Sequence, residues 1–273
     1  MKKYGTILLS LMIFMLCSCN SKNGAEKSDT HSAGNIIEQP NDTVLSISDT
    51  IPLDCNVQGS PMLRINLTLT DLVLENDTAK QRAVGDIAYI LLAGEESKSI
   101  VGTGNRYREI LKMEYLRLHP DYINIKENYE NPHWLNQEHT ISSECRTGYK
   151  GIVNYIISFE EYTGGAHPNS YRIALNFDPD NGAEVSLDGI MKDGYEQPLL
   201  ELIKASIIEF LNLQSPEELD KVLFDSKRLP ITRNVVIGKD KLTFIYNRYD
   251  IAPYAVGEII AEIPYDKLKG ILK

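Results

Sequence analysis

The residues in this chain best placed to do chemistry surround one histidine. His167 follows Gly164-Gly165-Ala166 and precedes Pro168-Asn169. A general base needs a nucleophile to activate and a group to orient it, and no Gly-x-Ser-x-Gly elbow or other nucleophile motif accompanies His167. The reading is a structural histidine. His31, His119, His133 and His139 show neither the His-Glu-x-x-His pattern nor a partnering cysteine pair at zinc spacing. Asp178, Asp180 and Asn181 superficially suggest a calcium loop, but the following glycine is out of step with that pattern and the flanks read as strands. Glu160 and Glu161 are neighbours on a strand, so their side chains face opposite ways and cannot form a carboxylate pair. No glycine loop of the phosphate-binding kind is present. Catalytic residues: none expected. The same holds for a metal or a cofactor.

The elements that must position His167 are strands. Glu160 to Met191 holds two apolar-alternating runs, one ending at the glycine pair and the other at Asp178-Pro-Asp-Asn-Gly182, which reads as antiparallel strands with specified turns. Gly164 and Gly165 permit positive φ, and Pro168 biases His167 towards extended geometry. Upstream, Leu63, Ile65, Leu67 and Leu69 alternate with polar residues as in a half-buried strand. Helices are expected over Thr78–Ala93, with Asn76, Asp77 or Thr78 as cap, and over Asn105–Leu118, ended by His119-Pro120. Asp121–Glu138 is polar and irregular, apart from Trp134, the single tryptophan. Strands follow at Ile141–Thr147, Ile152–Glu160 and Tyr171–Asp178. Leu199–Leu213 reads as a helix buried by a sheet, and a short helix opens at Ser215-Pro216 with the serine as cap. Further strands are expected at Asn234–Ile237, Lys241–Asn247 and Glu258–Ile263.

The N-terminus reads as export and anchoring. Lys2 and Lys3 precede an apolar run from Ile7 to Leu16, too short to cross about 30 Å of hydrocarbon, so residues 1–18 are a signal peptide. Leu16-Cys17-Ser18-Cys19 resembles a bacterial lipobox, in which Cys19 would be acylated, as by palmitate, and become the first residue of the mature chain. Residues 19–56, rich in Ser, Asn, Asp, Thr and Gly, read as a tether, with folding beginning near Val57. The chain has 28 Lys and Arg against 38 Asp and Glu, and loss of Lys2 and Lys3 takes the net charge from −10 to near −12. That excess argues against a nucleic-acid partner and suits a cationic protein. Cys55 and Cys145 would be the cysteines left in the body; they read either as a disulfide or as two separate thiols.

Tyr162-Thr-Gly-Gly-Ala-His-Pro-Asn169 resembles the signature of a bacterial envelope domain, family 3298 of domains of unknown function. That domain occurs in RsiV-type anti-sigma factors that bind lysozyme and in PdaC-type peptidoglycan deacetylases, outside their catalytic region. Asn234-Val-Val-Ile-Gly-Lys-Asp240, Tyr249–Gly257 and Ile263-Pro-Tyr265 resemble the end of the same domain, extending the likeness over Gly151–Leu268. The region before it is similar to a partner domain, family 4163. The resemblance implies an α+β fold of antiparallel sheets with packed helices in two mixed domains, 57–150 and 151–273. It also implies a non-enzymatic envelope lipoprotein whose ligand is a muramidase or cell-wall glycan. The sigma-binding and membrane-crossing parts of RsiV have no counterpart in the sequence, so signalling is not implied. A hydrolase acting on cell-wall glycan is the alternative, although the Asp and His ligands of a deacetylase are missing. Under the binding reading Gly164, Gly165 and Pro168 shape the loop, Tyr162 supplies apolar contact and His167 and Asn169 hydrogen bonds. The loop could equally do no more than join two strands.

Overall fold

The computed structural model of the protein describes residues 44–129 and 132–273. Cys19, the expected signal peptide at 1–18 and most of the expected tether at 19–56 lie outside the described residues. Folding begins earlier than the composition suggests. β1 (Val44–Pro52) pairs antiparallel with β2 (Met62–Thr70), so residues read as tether form an edge strand. Leu45 and Ile47 are buried, and Asp49, buried with them, is held by Arg108 at 2.7 Å. Polar Ser and Thr residues on the other face of β1 disguise this alternation in the sequence.

Three helices then cross over to β3. α1 (Asp77–Leu91) starts where Asn76 Oδ1 accepts from the N–H groups of Thr78 and Ala79, satisfying two of the helix's free donors. α2 (Ile100–Leu116) begins five residues before the expected start, with Ser99 accepting from Gly102 N. Gly102 and Gly104 hide this first turn from a propensity reading. Gly104 is required by packing: a Cβ there would stand 2.5 Å from Leu45 Cδ2 and 2.9 Å from Leu69 Cδ1. His119-Pro120 does not simply end the helix, because α3 (His119–Ile125) starts there with proline in its first turn. Part of the stretch expected to be irregular is therefore helical.

β3 (Gln137–Thr147) lies parallel to β2, as a long crossover allows, and β4 (Val153–Tyr162) and β5 (Asn169–Phe177) add antiparallel. The five-stranded sheet has the order β1-β2-β3-β4-β5 and is mixed, with β2–β3 its parallel pair. Ile141, Tyr155, Ile157 and Phe159 face the helices and form the first core with β1, β2, α1 and α2. A second core is built by α4 (Leu187–Ile190), α5 (Glu196–Phe210), α6 (Leu219–Val222) and the antiparallel sheet β6 (Val235–Ile237), β7 (Lys241–Tyr246) and β8 (Ile259–Pro264). Leu199, Ile203 and Ile207 of α5 are fully buried, whereas Phe210 is 48% exposed, so one stripe of this helix is covered and not its whole circumference. Ser215 precedes the short helical turns but makes no side-chain capping bond.

The boundary expected at Lys150–Gly151 falls inside the first sheet, because β4 follows it and pairs along its length with β3. The change of core comes instead between Phe177 and Leu187. The two sheets are seamed by asparagines. Asn234 Oδ1 accepts from Ala174 N and its Nδ2 donates to Arg172 O, both at 2.8 Å, while Asn247 serves Arg172 N and O at 2.8 and 2.9 Å. Asn176, 3% exposed, donates to Val235 O and accepts from Ile237 N. These side chains replace the ladder a sixth strand would have made.

Cys55 and Cys145 are free thiols. Cys55 lies in the exposed turn at the Pro52–Met62 end of the first hairpin, and Cys145 lies beyond the Thr70 end. The nine residues of β2 separate those ends by roughly 25–30 Å, against a Cα limit of about 7 Å for a disulfide. Burial pushes the Cys145 thiol pKa up.

Candidate functional site

Period-two alternation gives the first sheet two chemically opposite faces. Residues 141, 157 and 159 meet the helices, so 140, 142, 158 and 160 must point away from them. In register, Thr140 stands opposite Glu160 and Glu160 opposite Ser170; Ser142 stands opposite Ser158 and Ser158 opposite Arg172. Where β5 meets β6 this outer face is covered by Val236 and Ile245, packed on Ile156 and Ala174. Towards the β4–β5 loop it stays open, as the floor of a groove of about 350 Å³ whose walls include Arg248 and Glu258.

One pair of the groove's charges is locked together. Arg172 Nε donates to Glu258 Oε1 at 2.7 Å and its Nη2 donates to the other carboxylate oxygen, a two-pronged bond that raises the guanidinium pKa further. Arg248 donates to Ser170 Oγ and lies over the Tyr254 ring at 5.2 Å. Its Nε is buried and has no partner among the described residues.

The expected loop lies beside this groove, adjoining it through Ser170 and through Tyr254, over which Arg248 lies. His167 is exposed and stacks on Tyr254, ring centroids 3.9 Å apart and planes 20° apart. Tyr254 in turn donates its hydroxyl to Pro168 O at 2.7 Å, clasping the loop to the turn before β8. Tyr249, 57% exposed, leans on the same ring at 5.6 Å. On the far side Gly164 adopts φ +90°, and a Cβ there would lie 1.9 Å from Trp134 O. Trp134 carries Tyr129 edge-on at 5.1 Å. Tyr162 and Gly164 are half-buried, while Gly165, Pro168 and Asn169 are exposed. The buried hydrogen bond of a structural histidine is not what His167 makes: its Nδ1 stands 3.4 Å from the neighbouring Pro168 O.

Glu160 and Glu161 do diverge. Glu160 lines the groove, whereas Glu161 faces inward, 3.6 Å from Nδ1 of buried His139. Burial, and then the Glu161 charge, push the Tyr171 phenol up to about 12. Among the described residues no three His, Cys, Asp or Glu side chains converge as a metal set, and no helix there is long and apolar enough to cross a membrane. The turn after β5 is closed by Asp178 Oδ1, which accepts from Asp180 N and Asn181 N.

Residue-type reasoning missed Thr140, Ser142, Ser158, Ser170, Arg172, Arg248, Tyr254 and Glu258. The signal available was the repeat of hydroxyl and charged residues at alternate positions on three successive strands, each set between core positions.

An α+β body of two seamed sheets with helices packed on them, carrying an open polar groove, is the class of protein the fold and site define. Residues 188–266 match the model of the family described as "Protein of unknown function (DUF3298)". The matched segment contains β6–β8, Arg248, Tyr254 and Glu258, and lies C-terminal to the Gly164-Gly165 loop. The chain is 30% identical over 152 residues to the peptidoglycan-N-acetylmuramic acid deacetylase PdaC of Bacillus subtilis, covering 51% of this chain. It spans about a third of that relative's length, 32%. A crystal structure of a DUF3298 family member from Bacteroides fragilis superposes with a TM-score of 0.71 at 26% identity, over 88% of this chain and 94% of that one. A DUF3298 family structure from Pseudomonas aeruginosa shares the fold at a TM-score of 0.52 and 18% identity, over 86% of this chain and 96% of the other. These likenesses support a DUF3298-type, PdaC-like domain here and the expected α+β fold.

Proposed function

We propose that the protein is a non-enzymatic binding body of the bacterial cell envelope. Its ligand face would comprise the 162–169 loop, the Tyr254 clasp and the adjoining groove. The observation that carries this is the stack of His167 on Tyr254. An exposed loop is clasped beside a groove in which Arg172 and Glu258 are already paired, an arrangement suited to recognition and lacking a nucleophile–base pair. Rigid loops bind with less ordering cost than mobile ones. Envelope location is supported by the likeness to a peptidoglycan deacetylase, and anchoring by the lipobox-like run before Cys19. One acyl chain binds a membrane only marginally, so the anchor would need several. Cys19→Ala is expected to move the protein out of the membrane fraction, and a variant still sedimenting with membranes contradicts the anchor.

Two ligand classes fit this reading. The acidic charge favours a cationic protein such as a muramidase, and the deacetylase likeness favours cell-wall glycan. No nucleic-acid partner is proposed. The test is retention of the purified full chain on insoluble cell-wall sacculi and on immobilised lysozyme. Tyr254→Ala, which releases the loop, is expected to weaken whichever retention occurs. Wild-type protein retained by neither support contradicts the reading. Hydrolysis of cell-wall glycan is the second reading, supported by the name of the PdaC relative. Metal-stimulated deacetylation abolished by His167→Ala would establish it.

A further inference from the structure

The groove constrains its ligand more closely than overall charge does. Its lining holds two carboxylates, Glu160 and Glu258, and two guanidinium groups, Arg172 and Arg248, so a ligand of either sign meets a like charge. Arg172 and Glu258 already neutralise one another. An extended peptide adding to a sheet needs a free strand edge. The β5 edge beside the groove is closed, with Arg172 N and O and Ala174 N all taken by Asn234 and Asn247. The groove floor is a sheet face, which offers side chains and no backbone ladder.

What remains on offer is a dense set of neutral donors and acceptors with carboxylates among them. Thr140, Ser142 and Ser158 hydroxyls both donate and accept, Glu160 accepts only, and the Arg248 guanidinium in the wall donates only. Tyr249, exposed and next in sequence to Arg248, presents an apolar ring that leans on Tyr254, the ring Arg248 lies over. A molecule with hydroxyls around its rim and C–H groups on its faces complements both. A volume of about 350 Å³ lies at the small end of the ligand-pocket range.

We infer that the groove binds a short segment of neutral oligosaccharide, its hydroxyls meeting Glu160, Ser158 and Arg248 and one sugar face lying towards Tyr249. This rests on the reading that the loop and groove form a ligand face, and it selects glycan over a cationic protein as the occupant of the groove.

Saturation-transfer NMR of the full chain with chitotetraose, cellotetraose and maltotetraose tests it. At least one of the three is expected to bind with a Kd of about 1 mM or tighter. Ser158→Phe, which fills the groove floor, and Glu160→Gln, at an exposed position, should each weaken that binding about tenfold or more, with an unchanged melting temperature for Glu160→Gln. Three silent saccharides with wild-type protein, or binding undiminished in both variants, overturns the inference. Lysozyme captured by a protein that binds no saccharide would overturn it while leaving the binding reading in place. Silence from saccharides, sacculi and lysozyme together would remove both.

Discussion

Gly164 and Asn176 mark the limits of what single residues disclosed. The glycine pair was readable as a place needing positive φ, and Gly164 has it, but the reason its side chain must be absent lies in Trp134, thirty residues upstream in the sequence. Gly164→Ala combines backbone strain with a collision on a carbonyl oxygen. It is expected to destabilise by about 1–3 kcal/mol and to shift the emission of the single tryptophan, Trp134. Unchanged fluorescence would mean that the loop does not rest there. Nothing in the sequence marked Asn176, since an asparagine in a strand more often signals a turn or bulge. In the fold it pairs buried backbone groups of β6 that no strand reaches. Asn176→Ala would leave Val235 O and Ile237 N unpaired, at roughly 1–3 kcal/mol for each buried group. Urea denaturation should register a loss of several kcal/mol, and a loss below about 1 kcal/mol would show that the seam contributes little.

At the scale of elements, strands with unbroken alternation were legible and elements with mixed signals were not. β2 and β5 carry clear period-two patterns, and β4 and β5 lie within two residues of their expected bounds, whereas β3 starts four residues before its expected start. β1 was taken as tether because Ser46, Ser48 and Thr50 outweigh Leu45 and Ile47 in a composition reading, although the alternation itself was present. The start of α2 was missed because Gly102 and Gly104 have low helix propensity, and propensity yields to packing where a helix must approach a sheet closely. Gly104→Ala separates these effects. Propensity favours alanine by about 1 kcal/mol, while overpacking against buried Leu45 and Leu69 costs about 1–3 kcal/mol. A net loss of stability is expected in thermal melts, and a gain would show that the helix can lift without cost.

For the whole molecule, periodicity gives no account of which strands share a sheet, so the expected boundary at Lys150 cut through a sheet whose partners lie on both sides. The same blindness to long-range placement left Cys55 and Cys145 open as a pair. With the length of β2 between them, titration of the denatured, unreduced protein freed of its N-terminal 43 residues should find two free thiols, and none would contradict the arrangement of the hairpin. The groove was illegible for a related reason: its floor is drawn from β3, β4 and β5 and its walls from positions 248 and 258, each ordinary in its own stretch. The central claim, that the open polar face of the first sheet and the His167–Tyr254 clasp beside it form the ligand face, is tested most directly by hydrogen–deuterium exchange of the full chain with and without solubilised cell-wall fragments. Slowed exchange is expected in 158–172 and 247–258 and not in α1 to α3. Protection confined to the helical face at 77–125, or none anywhere, would contradict it.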